Sequence, residues 1–137
     1  MLGQSGKILD LAIVFTRSAL PDGFVPAQLA SASTDVGSPF TIAGFGIANE
    51  RDATTGGVLR TADVSLRAPV SNLLLWLSGE GGACTGDSGG PVLDPQGNVV
   101  AVIAYAEGSS GRGCGALTQA VRTAPFANWI DAEAGRR

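Results

Sequence analysis

Histidine is missing altogether from this sequence of 137 residues, and lysine occurs once, at Lys7. Without an imidazole, no mechanism that takes its base from histidine is complete within the chain, and neither is a histidine-ligated metal site. No cofactor and no metal ion is therefore expected. Aromatic residues make up only 6% and charged residues 15% of the chain. With so few large side chains, glycine and small residues must do much of the filling, which favours a turn-rich β architecture over a helical bundle. Positive charge is scarce and scattered, and the net charge is −3. Nucleic-acid binding leans on a basic stripe that displaces counterions, and none is visible, so no nucleic-acid partner is expected. No apolar run approaches the ~20 residues of a spanning helix, which excludes a membrane partner of that kind. The opening MLGQSGK does not read as a secretory signal, because Asp10 interrupts the apolar stretch after it. Any export signal is expected elsewhere or already removed.

What is present suits one domain with a filled core: 45% apolar residues and 20 glycines. Residues 8–15 (ILDLAIVF) are a short, nearly continuous apolar run and predict a buried strand. Residues 16–39 are small and polar with Pro21, Pro26 and Pro39, a loop or crossover passage. Strand character returns in residues 40–47 (FTIAGFGI). Residues 58–70 alternate, with Val64 and Leu66 on one face and Asp63, Ser65 and Arg67 on the other, as in a half-buried strand. Residues 73–77 are apolar, and residues 79–90, with six glycines and no period, predict a specialised loop. Residues 91–93 and 98–105 predict a strand pair joined by the turn sequence Asp94-Pro95-Gln96-Gly97. Residues 108–113 predict a flexible loop and residues 115–121 another strand. The ending predicts a helix over residues 123–133, with Thr123 as N-cap, Pro125 in the first turn, and Phe126, Trp129 and Ile130 on one face. Six or so short strands before a terminal helix indicate a mostly antiparallel barrel or sandwich.

The chemistry concentrates in Thr85-Gly86-Asp87-Ser88-Gly89-Gly90-Pro91. A serine flanked by glycines can sit on a tight turn with its hydroxyl exposed. Neighbouring N–H groups can then converge where negative charge develops on a carbonyl under attack. A Gly-Asp-Ser turn alone is common; the full string ahead of an apolar strand is far more specific.

GDSGGP resembles the nucleophile signature of the chymotrypsin-like (trypsin-type) serine endopeptidases. Other stretches are similar to the same family: Asp10-Leu11-Ala12-Ile13-Val14 to the strand bearing its catalytic aspartate, and Ile42-Ala43-Gly44-Phe45-Gly46 to the opening of its second barrel. Leu59-Arg60-Thr61-Ala62-Asp63-Val64-Ser65-Leu66 resembles the strand that follows. Val102-Ile103-Ala104-Tyr105-Ala106 resembles the substrate-binding strand. The resemblance implies an all-β fold, an antiparallel Greek-key barrel equivalent to the family's second barrel, with a short C-terminal α-helix. Residues 1–20 would end the N-terminal barrel and carry the aspartate, 21–39 would cross between barrels, and 40–137 would form the C-terminal barrel and helix.

By the same resemblance Ser88 is the nucleophile, Asp10 orients the catalytic histidine, and the N–H groups of Gly86 and Ser88 form the oxyanion hole. Cys84 and Cys114 would form the disulfide that braces the specificity pocket, which implies a secreted or periplasmic protein. The pocket floor would fall at Gly82, with walls from Ala83, Ala104, Tyr105, Ala106 and Gly115. That set reads as neutral and apolar, with Glu107 at the rim as an attraction for basic side chains.

The family's base lies on the first barrel, upstream of the aspartate, and the chain has no histidine to supply it. The expected function is peptide-bond hydrolysis by a serine nucleophile, inactive until a histidine is supplied. The alternative is a non-catalytic module that binds peptides along residues 102–106. Expected partners are a peptide or protein substrate, with a separate chain supplying the N-terminal barrel as a further candidate. In the family, Asp87 would pair with a newly released N-terminus, and that partner is not expected here. The lone apolar strand of residues 8–15 would be left as an open edge, an association hazard.

Overall fold

The computed structural model describes residues 10–33, 35–69, 71–109 and 113–136. Six antiparallel strands carry the fold: β1 (Pro39–Gly44), β2 (Arg60–Pro69), β3 (Leu74–Ser78), β4 (Pro91–Leu93), β5 (Val99–Glu107) and β6 (Leu117–Arg122). They close into one barrel in the order β1-β2-β3-β6-β5-β4. Closure comes from β1 against β4, with Thr41 opposite Leu93 and Ile42 opposite Val92. A 3-10 turn (Ala124–Phe126) leads into the helix α1 (Ala127–Ala134).

The inward face follows the alternation of each strand. Phe40 and Ile42 of β1, Val64 and Leu66 of β2, and Leu75 and Leu77 of β3 are buried. Val92, Val100 and Ile103 meet them from β4 and β5, and the buried Ala83, Ala101 and Ala120 complete the core. Removing one such Leu or Val side chain from water stabilises by about 1.5–3 kcal/mol. Register shifts between Leu66 and Ala68, Val92 and Leu93, and Ile103 and Tyr105 bend the strands around the barrel. Such bulges increase local twist and let a short sheet curl closed.

Two expectations are corrected here. Ile8 and Leu9 lie outside the described residues, and residues 10–15 form no strand. They pair with no strand of the barrel, and Val14 is left 85% exposed. The chain docks further on instead. Ala30 N–H donates to Val99 O and Val99 N–H to Gln28 O, a parallel bridge at Leu29. The second correction concerns Thr123, which makes no side-chain cap. It is buried, and its hydroxyl donates to Val99 O at 3.4 Å, which ties the start of the terminal turn to the barrel. The 3-10 turn therefore starts on Pro125 geometry and the α-helix four residues later than the sequence predicts. The remaining strands fall within one to two residues of their predicted bounds at most ends.

Candidate active site

The loop from Cys84 to Pro91 is shaped by its own backbone bonds. Asp87 N–H donates to Cys84 O, Gly90 N–H to Asp87 O, and Gly89 N–H to Ile103 O. Ile103 N–H returns a bond to Gly90 O, which fixes the loop against β5. Gly86 and Gly89 have φ of +96° and +86°, a region where an L side chain is strained, so the turn needs glycine on both sides of Asp87 and Ser88. Ser88 is left exposed, and its hydroxyl bonds to no described residue. The N–H groups of Gly86 and Ser88 likewise donate to no described acceptor, whereas Asp87, Gly89 and Gly90 are all engaged. Two free donors flanking a free hydroxyl are what an acyl-transfer site presents before substrate arrives.

Asp87 is held differently from the sequence expectation. It lacks no partner: its carboxylate accepts from Gly46 N–H at 2.7 Å and from Cys84 N–H at 2.9 Å. These are charge-assisted bonds to backbone, among the stronger kinds. The close approach explains the Gly44-Phe45-Gly46 string. A Cβ on Gly46 would lie 2.5 Å from the Asp87 carboxyl carbon, and one on Gly44 would overlap the carboxylate. Glycine is required there by the neighbour across the barrel mouth, 41 residues away in sequence.

Cys84 and Cys114 are joined, with their Cα atoms 4.8 Å apart and a sequence separation of 30. Gly115 N–H donates to Ala83 O, and Gly82 packs directly against the Gly115 backbone. The expected floor and one expected wall of the pocket thus meet beside the disulfide. Both line a cavity of about 940 Å³ at the barrel mouth. Of the other pocket residues, Ala83 is buried, with its N–H on Thr118 Oγ1 at 3.0 Å. Ala104, Tyr105 and Ala106 lie along β5 outside the cavity lining, with Tyr105 exposed. Beyond Val102 this strand pairs only with β6, because β4 is three residues long.

The cavity wall also carries residues that the sequence did not single out: Glu50, Arg51, Arg60 and Glu80. It is not the neutral lining read from sequence. Glu80 lies two residues before Gly82 in the same loop, whereas Glu50, Arg51 and Arg60 reach the cavity from a loop and a strand remote from Gly82, so only the fold brings those three in. Glu50 has a carboxylate oxygen within 4.8 Å of both cysteine sulfurs. Because those sulfurs are bonded to each other, they offer no thiolate, and the three residues do not make a metal site. Asp10 is exposed, outside the barrel, and no hydrogen bond joins it to any described residue or to Ser88.

Neuropsin, described as a serine protease expressed in the limbic system of mouse brain, superposes with a TM-score of 0.67 at 21% identity, covering 85% of this chain and 56% of its own. A mutant of human heparin binding protein gives a TM-score of 0.65 at 22% identity, with 87% and 54% covered. An inactivated protease paralogue from scabies mite gives 0.63 at 21% identity, with 85% and 56% covered. At these identities the likeness shows the fold, and the chain spans little more than half the length of each of these structures. No curated protein sequence matches it. The family model described as trypsin matches residues 3–130, nearly the whole sequence, and the chain therefore belongs to the trypsin family of chymotrypsin-like serine proteases.

Proposed function

We propose that this chain carries the nucleophile half of a serine endopeptidase site, with Ser88 attacking the peptide carbonyl. One observation carries the reading: in a loop whose other donors are engaged, the hydroxyl of Ser88 and the N–H groups of Gly86 and Ser88 are free. In the reaction, Ser88 Oγ bonds to the carbonyl carbon while its proton passes to a base. The carbonyl oxygen takes the electron pair of the C=O bond and is held by the two N–H groups. As the C–N bond breaks, the base returns the proton to the leaving amine, and water then hydrolyses the acyl-serine. Asp10 would orient the base, and the base itself comes from outside this sequence, since the sequence has no histidine. Peptide substrate would lie along residues 104–106 of β5, whose outer side is unpaired, as an added strand. The disulfide favours an oxidising compartment, secreted or periplasmic. Among the described residues no helix is long and apolar enough to cross a membrane.

A second reading has its own support. The absent histidine and the fold shared with an inactivated paralogue favour a peptide-binding module that does not cleave. Labelling with a fluorophosphonate separates the two. Under the peptidase reading the chain alone labels slowly, millimolar imidazole accelerates labelling by supplying the base, and Ser88→Ala abolishes it. Labelling that is unaffected by imidazole would leave only the binding module.

A further inference from the structure

We propose that Arg60 is a positioning residue for the Gly86 N–H donor, acting through the carbonyl of Gly46 from across the barrel mouth. This role rests on the reading of Ser88 as the nucleophile, with the N–H groups of Gly86 and Ser88 as its oxyanion donors.

The two donors are aimed by different anchors. In a trans peptide the C=O and the N–H of one planar unit point in opposite directions, so a bond to the carbonyl sets the direction of the N–H on the far side. The N–H of Ser88 shares its unit with Asp87 O, which accepts from Gly90 N–H within the same loop. The N–H of Gly86 shares its unit with Thr85 O, which accepts at 2.9 Å from Ile47 N–H, just past the end of β1. Beside it, Gly46 N–H donates to Asp87 Oδ1 at 2.7 Å, and a Cβ on Gly86 would lie 3.1 Å from Gly46 Cα. Gly46 and Ile47 are thus a backbone mould, bonded on both sides of Gly86 and packed against it.

The mould lies at the neck of a long excursion. Gly44 and Arg60 face each other in the β1–β2 ladder, and the chain between them leaves the barrel and returns. Two ties close the neck. Gly57 N–H donates to Phe45 O at 2.8 Å. Arg60 Nη1 donates to Gly46 O at 3.3 Å on the outgoing arm and to Val58 O at 3.2 Å on the returning one. The bonds of Ala48 and Asn49 N–H to Thr55 Oγ1 hold the tip of the excursion and do not reach the neck. Among the described residues Arg60 forms no ion pair, so its guanidinium is committed to these two carbonyls, as charge-assisted donors. Truncating Arg60 takes that donor from Gly46 O and loosens the arm that carries Ile47 N–H. The Thr85–Gly86 peptide then loses its fixed direction, whereas the Asp87–Ser88 peptide keeps its own anchor at Gly90.

The test compares the parent chain with Arg60→Ala, Arg60→Lys and Arg67→Ala by two readouts: the amide signals of Gly86 and Ser88, and the rate of fluorophosphonate labelling with imidazole present. Arg67 is an exposed cation of the same strand whose side chain bonds to no described residue. Arg60→Ala is expected to move the Gly86 signal more than that of Ser88 and to slow labelling about fivefold, with the core signals of Val100 and Ala120 unchanged. Arg67→Ala changes neither readout. Arg60→Lys restores part of the rate, and millimolar guanidinium restores it in Arg60→Ala where the same concentration of sodium chloride does not. Urea denaturation confirms that each variant is folded, and the lysine variant is read by the same two measures. A Gly86 signal indifferent to Arg60→Ala, an equal effect of Arg67→Ala, or a slowing that neither lysine nor guanidinium reverses overturns the proposal. A parent chain that never labels loses the peptidase reading, and the Gly86 signal still decides whether Arg60 aims that donor. A chain that labels equally well with and without Arg60 keeps its nucleophile and loses this role for Arg60.

Discussion

Asp87 connects two stretches that are distant in sequence, accepting from the N–H of Gly46 at the end of β1 and from that of Cys84 at the start of the serine loop. Replacing it with alanine leaves both donors without their acceptor in a partly buried place. Asp87→Ala is expected to lower unfolding free energy by about 2–4 kcal/mol, measured by urea denaturation, since each such orphaned donor costs about 1–3 kcal/mol. Gly46→Ala should destabilise comparably, because its Cβ would sit 2.5 Å from the Asp87 carboxyl carbon and the carboxylate cannot move without breaking its bonds. An unchanged denaturation midpoint in either variant would show that the carboxylate is not what holds the loop. At this scale the GDSGGP string made the tight turn and the exposure of Ser88 legible, because a contiguous motif carries its local geometry with it. The acceptor role of Asp87 and the presence of Glu50 in the cavity were not legible. Each depends on segments separated by more than 30 residues and brought together only by barrel closure.

The hairpin of β4 and β5 is the element most completely written in the sequence. Its turn runs through Asp94, whose Oδ1 accepts from Gln96 N–H at 2.9 Å and Asn98 N–H at 2.8 Å, while Oδ2 accepts from Asn98 Nδ2. The Asn98 side chain, the largest influence, holds the Asp94 carboxyl below its ordinary value of 3.8. A carboxyl whose folded pKa is depressed contributes stability that is present above the unfolded value and lost as pH falls through the folded one. Acid should therefore loosen this turn only below about pH 4, and Asp94→Asn should flatten the loss of stability in that window relative to the parent chain. Thermal midpoints from pH 2.5 to 6 check this. In β3, Leu77 is fully buried, and Leu77→Ala is expected to cost about 2–5 kcal/mol by denaturant titration. Period-two alternation made β2 readable, and an apolar run did so for β3. It could not reveal that residues 10–15 have no partner strand among those described, because an apolar run shows that burial is favoured and says nothing of what is available to bury it. Thr123 shows the same limit: a residue suited to capping is used instead to tie the terminal turn to β5.

For the molecule as a whole, closure of the six strands was legible as a class, and the family resemblance carried it further than periodicity alone. The apolar side chains of the crossover were not anticipated as surface: Phe24 and Val25 are 67% and 86% exposed. With two large apolar side chains exposed side by side in sequence, the double variant Phe24→Ser, Val25→Ser should associate less by static light scattering, with stability within about 0.5 kcal/mol of the parent. The disulfide joins the serine loop to the segment before β6, and its removal in Cys84→Ala, Cys114→Ala should cost about 3–4 kcal/mol in the chain-entropy view. Ser88 contrasts with all of these residues, since its hydroxyl makes no bond to the described scaffold. Fold and serine hydroxyl are thus uncoupled: the barrel would tolerate the loss of the hydroxyl without any folding penalty. Mutational drift at this position would go unseen by every selection that acts through stability. A trypsin-family scaffold of this design can therefore lose its exposed serine hydroxyl by a single, structurally silent substitution.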